Sequence, residues 1–196
     1  MRGRAVRNHG RSEAGQSVIE FAVVLPLVAL LALGVVEVSS ALLDMHVITS
    51  FSREGSNLIS RNTTLQDAVT AMRQMSSRPV NLNDGSSKII LSVIKRVATT
   101  GASNYNKDIL YQRCEYGTLA AQSRLQGGHG SFGPGPDYQA LDADNDTGLQ
   151  VGNLPVPLTP GGTLYITEVY TRHTLITPLD RFGVHVPDLL YSIAYF

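Results

Sequence analysis

Residues 15–26 read Gly-Gln-Ser-Val-Ile-Glu-Phe-Ala-Val-Val-Leu-Pro, and they open an apolar run that continues to Val36. As an α-helix, residues 18–36 would be about 28 Å long, close to the ~30 Å hydrocarbon core of a bilayer. Two residues of the run, Glu20 and Pro26, are unusual in a membrane helix. A carboxylate inside a membrane is costly, so Glu20 is predicted to have a function. Pro26 frees one backbone carbonyl and is predicted to kink or locally unwind the helix.

The charges on either side of the run predict its orientation. Residues 1–15 contain four arginines and one acid, whereas the acids Glu37 and Asp44 follow the run. Positive charge stays in the cytoplasm, so the chain after the run is predicted to be translocated. A cleaved secretory signal would need a small-residue site after the run, but the helical pattern continues there and the small pair Ala14-Gly15 precedes the run. The rest of the chain is mildly acidic and lacks the basic patch that nucleic-acid binding requires.

The residues around Gly15 resemble a known processing site. The stretch at 15–21 is similar to class III signal peptides, in which a prepilin peptidase cuts after the glycine and would leave Gln16 as the first residue. The wider pattern resembles the TadE-like minor pilins, or pseudopilins, of tight-adherence (Tad or Flp) pilus systems; it comprises Glu20, Phe21, Pro26, Gly34, Glu37 and the triplet Arg53-Glu54-Gly55. Major Flp pilins are very short and have Glu-Tyr where this chain has Glu20-Phe21, so the resemblance favours a minor subunit.

The resemblance carries further implications. It implies a pilin-like fold, processing at Gly15 and Gln16, and an assembly role for Glu20, Phe21 and Pro26. The implied partners are a prepilin peptidase, sister TadE-, TadF- and TadG-like minor pilins, the major Flp pilin and an inner-membrane assembly platform. The implied location is the bacterial inner membrane, crossed once with a cytoplasmic N-terminus and a periplasmic C-terminal domain, with incorporation into the extracellular pilus as a further option.

The position of Glu20 gives a physical reason for an assembly role. Cleavage after Gly15 would create an ammonium at Gln16, and an intramembrane carboxylate needs a partner such as that ammonium on a neighbouring subunit. A misregistered neighbour would leave a charge unpaired at low dielectric, so the pair would set the register between subunits. The alternative is that Glu20 lies one turn inside the interface and extends its carboxylate to water.

The remaining sequence predicts an α+β domain. The chain divides into a basic leader at 1–15, a long helix at 16–61 and an α+β domain at 62–196. Apolar residues continue along the helix at three- and four-residue spacing and predict the face that the domain covers: Val38, Ala41, Leu42, Met45, Ile48 and Phe51. A capping box at 64–67 starts a second, short helix. About four strands follow, at 88–98, 109–116, 163–177 and 189–196, and predict a small antiparallel sheet.

A long connection at about 117–162 separates the second and third predicted strands. Its Gly- and Pro-rich centre at 127–136 is not expected to hold regular structure, and loops of this length are usually functional or disordered. Within it, Asp142, Asp144 and Asp146 stand at alternate positions, the spacing with which calcium loops begin. The seventh and twelfth positions depart from the EF-hand pattern, so a solvated Asp-rich turn is the favoured interpretation and a calcium site the alternative.

The sequence contains no catalytic motif. The five histidines show no metal-ligand spacing, and no Gly-x-Ser-x-Gly elbow, phosphate loop or Cys-x-x-Cys occurs. An ordered pocket that gathers His173 or His185 with acids would instead indicate an enzyme. The lone Cys114 is predicted to be a buried strand residue, with an interchain disulfide as the alternative. No cofactor is expected apart from the calcium alternative.

The sequence therefore predicts a non-enzymatic minor pilin or pseudopilin. It would take part in assembling a tight-adherence pilus for surface adhesion, either in initiation or in a tip complex. The alternative is a periplasmic binding or sensor domain that stays permanently anchored in the membrane.

Overall fold

A computed structural model describes residues 10–183 and 187–196 of the chain. The side chains of residues 10–14 and 182 lie outside this description, as does most of the predicted leader at 1–15. In chain order the described elements are helix α1 (Gly10–Ser60), helix α2 (Leu65–Met75), strands β1 (Ser87–Arg96), β2 (Asp108–Tyr116) and β3 (Gln126–Gly127), a 3₁₀ turn (Thr147–Leu149), strands β4 (Val151–Gly152) and β5 (Thr163–Arg172), a second 3₁₀ turn (Pro178–Phe182) and strand β6 (Leu189–Tyr195).

Four of these strands form one antiparallel sheet in the order β2-β1-β5-β6. In β1, Leu91 lies opposite Cys114 of β2 and Thr167 of β5, and in β5 Val169 lies opposite Ser192 of β6. β1 is an inner strand, as its apolar residues on both faces indicate. The sheet, the long α1 and the short α2 confirm the predicted α+β fold class.

The chain forms two compact units. The first contains residues 1–41 and 175–186, and the second contains residues 42–174 and 187–196. α1 therefore contributes to both. The strand predicted at 163–177 ends earlier, at Arg172, because the chain leaves the sheet there and its 175–183 segment belongs to the first unit.

In the second unit, α1 and α2 pack on one face of the sheet. This core joins Ile48 and Ile59 of α1, Leu65 and Met72 of α2, and Ile89 and Leu91 of β1. Thr64 caps α2 as predicted, because Thr64 Oγ1 accepts a hydrogen bond from Asp67 N at 3.1 Å. Asp67 Oδ2 in turn accepts from Thr64 Oγ1 at 2.7 Å. Cys114 is buried in the same core, as predicted, and burial raises the pKa of its thiol.

α1 meets the sheet through small residues. Ser52 Oγ lies 3.0 Å from Ser192 Oγ, and Ser56 Oγ donates to Ala194 O at 3.0 Å. A Cβ added to Gly55 would lie 2.7 Å from Thr167 Cγ2. Glycine is therefore needed for this close approach of helix and strand.

The predicted domain-facing side of α1 is wrong for Val38, Leu42 and Met45, which are exposed. The buried side runs instead through Ile48, Ser52, Ser56 and Ile59. The reason is that β5 and β6 present small and polar groups to the helix, and serine hydroxyls satisfy these groups where bulky side chains would not fit. The second unit consequently leaves several apolar residues of α1 exposed: Leu42, Leu43, Met45 and Val47.

The connection at 117–162 packs on the other face of the sheet. Sheet residues Ile94, Leu110 and Ile166 form a core there, against which Leu125, Phe132, Val151 and Leu154 of the connection pack. The expectation that its Gly-rich centre lacks regular structure is wrong at Gly127, because β3 pairs with β4. Gly127 has a φ of 90°, and a Cβ there would lie 2.1 Å from Gln150 O. Glycine therefore permits this pairing.

A buried carboxylate fastens the connection to β5. Glu168 is completely buried and accepts hydrogen bonds from Ser123 Oγ, Arg124 N, Tyr170 Oη and Tyr191 Oη. Burial and the neighbouring Glu168 raise the pKa of both tyrosines. Both phenols consequently remain protonated donors, as the buried carboxylate requires.

Candidate functional site

The apolar part of α1 is exposed on all sides within the first unit. At residues 18–36, called the span from here on, the residues more than half exposed include Val18, Ile19, Phe21, Val23, Leu27, Val28, Leu31 and Val35. In the described part of the chain, α1 is the one helix long and apolar enough to cross a membrane. Its most apolar window has a mean hydropathy of 2.6, and none of the residues in that window is buried inside the protein. The core helix of a soluble protein would be mostly buried, so the exposure fits a membrane anchor.

The predicted processing site lies in the first described turns of α1. Gly15 and Gln16 are both exposed, and nothing lies within 4 Å of the position of a Gly15 Cβ. A glycine inside a helix weakens it by about 1 kcal/mol relative to alanine. Gly15 and Gln16 are therefore accessible, and the helix is less stable at Gly15 than it would be with alanine there.

Glu20 lies one helical turn after the processing site. Gln16 Nε2 donates to Glu20 Oε1 at 2.9 Å, and both side chains are exposed. Gln16 and Glu20, which are predicted to pair between subunits, are thus neighbours on one face of the same helix. After cleavage at Gly15, Glu20 would stand near the new helix N-terminus, where the helix dipole favours a negative charge. Phe21, the next residue, is exposed beside it.

Pro26 lies inside α1, and the helix continues through it without a break. The local unwinding that was one expectation for Pro26 is therefore not observed. Its ring lines a shallow apolar hollow with Leu27, Ala29, Leu30 and Leu33. A second apolar groove lies further along the helix and is lined by Leu30, Leu31, Gly34, Val35, Val38, Ser39 and Leu179. The span therefore has apolar concavities.

Glu37 has a buried, hydrogen-bonded environment that was not predicted from the sequence. It follows the apolar run directly and yet is completely buried. Its carboxylate accepts hydrogen bonds from Thr177 Oγ1 at 2.6 Å, Thr177 N at 2.8 Å and Ile176 N at 3.2 Å. Such donors offset the loss of water around a buried charge. Glu37 thereby fastens the 175–183 segment to α1. The one signal in the sequence is an acid at the end of the run, since its donors lie 139 and 140 residues away.

The comparison with protein families bears on this helix directly. The family described as TadE-like protein matches residues 15–57. Residues 15–57, called the TadE-like segment from here on, are thus similar to this family. The match begins at the predicted processing glycine, contains Glu20, Pro26 and Glu37, and ends shortly before α1 does. It confirms the resemblance found in the sequence. Comparisons with curated proteins and with solved structures give no match.

The TadE-like segment also contributes to a buried pair in the second unit. His173 Nδ1 lies 2.7 Å from Asp44 Oδ2, and the imidazole is completely buried. His173 N donates to Asp188 O at 2.7 Å. The pair connects α1 to the end of β5. His173 thus lies beside one acid, with its imidazole fully enclosed. His185 lies outside the described residues.

The Asp-rich turn lies far along the chain from the TadE-like segment, between β3 and β4. Asp142 Oδ1 accepts from Asn145 N at 3.1 Å, and Asp146 Oδ1 accepts from Gly148 N at 2.9 Å. Asp144 O accepts from Asn104 N at 2.9 Å. Among the described residues no group of three or more His, Cys, Asp or Glu side chains is arranged to hold a metal ion. Calcium binding stays a prediction, and calorimetric titration of the full chain, with Asp144→Asn as the control, tests it.

Proposed function

We propose that this chain is a minor pilin or pseudopilin that takes part in assembling a tight-adherence pilus used for surface adhesion, in initiation or in a tip complex. One observation carries the proposal: the TadE-like segment presents an unbroken helix whose apolar surface is largely exposed along the span. Small residues allow membrane helices to approach closely. Gly34 and Ala29 line the two apolar concavities of the span, which therefore suit packing against a neighbouring helix.

Exposed apolar residues of α1 in the second unit support the same proposal. Leu42, Leu43, Met45 and Val47 lie beyond the span and are all at least one third exposed. Exposed apolar residues clustered in a part of the chain that is predicted to face water indicate an interaction site. A solitary anchor would need apolar residues only within the bilayer. Apolar residues that continue past it therefore favour a helix that packs along its length against other subunits.

The proposed mechanism is assembly rather than catalysis. A prepilin peptidase would cut between Gly15 and Gln16 and leave the span in the mature chain. The new ammonium and Glu20 would then lie at the same level of neighbouring helices, where pairing of opposite charges fixes their axial register. The partners are sister minor pilins, the major Flp pilin and the assembly platform of the inner membrane, and the domain after the span would be periplasmic.

Substitution of Glu20 tests the assembly role. We expect Glu20→Ala to reduce both filament number and the amount of sister minor pilins that co-purify with the chain, because the intersubunit charge pair is lost. Glu20→Gln should give the same loss, since an amide carries no charge. Asp137→Ala is the control, because Asp137 is an exposed acid outside the TadE-like segment. Normal filaments and normal co-purification in both Glu20 variants would refute the role.

A further inference from the structure

The 175–183 segment is fastened at the edge of the span. Along an α-helix, Glu20 and Glu37 are about 26 Å apart, which is slightly less than the ~30 Å hydrocarbon core of a bilayer. Glu37 therefore lies at the boundary between hydrocarbon and headgroups when the span crosses the membrane. Ile176 and Thr177, which donate to Glu37, are held at that same level.

The segment also contacts the side of the helix around Glu37. Leu179 is buried and lines one groove with helix residues on both sides of Glu37, from Leu30 to Ser39. Leu30 precedes Glu37 by about 10 Å of helix. The segment thus lies beside the last turns of the span, at the level of the membrane surface.

The side chains of the segment match such a position. Ile176 is 66% exposed although its amide is bonded to Glu37. Asp180 and Arg181 are exposed in the 3₁₀ turn that follows. An irregular backbone can approach hydrocarbon only where its donors are satisfied, and Glu37 satisfies the amides of Ile176 and Thr177. A short element that combines an exposed apolar residue with charged residues further along is typical of the membrane interface.

We propose that the 175–183 segment lies in the lipid interface of the leaflet at the C-terminal end of the span, with Ile176 inserted among the acyl chains and Glu37 holding the segment in place. The lipid-facing part of the protein then includes a segment encoded far from α1 in addition to the helix. The inference rests on the membrane anchoring contained in the proposed function.

Single-tryptophan fluorescence tests this proposal, because the chain has no tryptophan of its own. The full chain is reconstituted in phosphatidylcholine vesicles as Ile176→Trp. Its emission should be blue-shifted, and lipids brominated near the headgroup should quench it more than lipids brominated near the end of the acyl chain. Val156→Trp is the matched control, because Val156 is a similarly exposed apolar residue of the second unit. We expect it to show polar emission and no quenching by lipid.

A third variant separates failure of this inference from failure of the anchor. Leu27→Trp places the reporter in the middle of the span, where lipids brominated near the chain end should quench it most. Quenching of Leu27→Trp together with polar, unquenched emission of Ile176→Trp would overturn the interface proposal alone. Blue-shifted but unquenched emission of Ile176→Trp would also overturn it, because protein would then cover the segment. Unquenched Leu27→Trp would refute the membrane anchor itself.

Discussion

At the scale of single residues, two carboxylates bracket the apolar run, and their environments are opposite. Glu20 is exposed and accepts a hydrogen bond from Gln16 one turn away. Glu37 is buried, and its charge is satisfied by the 175–183 segment. The role of Glu20 could be predicted because its position relative to Gly15 is a local pattern. The environment of Glu37 could not, because its donors come from a distant part of the chain.

Removal of the Glu37 carboxylate should release the 175–183 segment. In Glu37→Ala, the Ile176 and Thr177 amides and the Thr177 hydroxyl lose their acceptor, and each buried unsatisfied donor costs about 1–3 kcal/mol. We expect faster hydrogen exchange at the amides of 176 and 177, measured by mass spectrometry on the full chain in detergent. Glu54→Ala should leave this exchange unchanged. Wild-type protection of the two amides in Glu37→Ala would show that Glu37 does not hold the segment.

At the scale of secondary-structure elements, the contact between α1 and the sheet depends on small residues. Gly55 faces Thr167 of β5 and Met72 of α2, and a Cβ there would lie under 3 Å from atoms of both. Periodicity of apolar residues predicted a different face of α1, because large side chains mark a buried face only when the partner surface leaves room for them. The strip of serine, threonine and alanine on β5 and β6 leaves no such room.

A bulky residue at Gly55 should separate α1 from the sheet. We expect Gly55→Leu to lower the free energy of unfolding by about 1–3 kcal/mol or more, the usual cost of overpacking a core. Thermal unfolding of the full chain in detergent measures the effect. Ser50→Leu adds the same side chain at an exposed position of the same helix and should change stability little. Equal melting temperatures for the two variants would contradict the close packing at Gly55.

The tyrosines beside Glu168 predict how stability depends on alkaline pH. The pKa of Tyr170 and that of Tyr191 are raised in the folded chain by burial and by Glu168. A raised pKa means that the folded state holds these protons more tightly than the unfolded state, whose tyrosines titrate near pH 10. Their contribution to stability is therefore fully present below about pH 10 and is lost as the pH rises above it.

Melting temperatures measured between about pH 8 and 11 check this expectation. The melting temperature of the wild-type chain should fall above about pH 10, and the fall should be shallower in the double variant Tyr170→Phe/Tyr191→Phe, which lacks both titrating groups. The double variant is also expected to be less stable at neutral pH, because Glu168 loses two donors. A fall of equal steepness in both chains would show that these two phenols do not control the alkaline transition.

At the scale of the whole molecule, the main helices and strands could be predicted from the sequence, but the contacts between them could not. The apolar run, the capping box at Thr64 and the β-branched strands are local signals, and the structure contains the corresponding helices and strands. The packing of the 117–162 connection could not be predicted, because a glycine indicates a turn but does not show which backbone lies next to it. Gly127, for example, permits a close contact with the backbone of Gln150. The placement of the 175–183 segment in the first unit likewise depends on the long-range bonds to Glu37.

The proposed function requires that the chain is processed at Gly15 and keeps its apolar helix for assembly. Mass spectrometry of the N-terminus of the full chain, purified from cells that contain its prepilin peptidase, measures this processing. We predict a mature chain that begins at Gln16. Gly15→Leu should block the cut and leave the leader attached. A wild-type chain that retains residues 1–15, or one cut after the apolar run near Ala41, would contradict the claim.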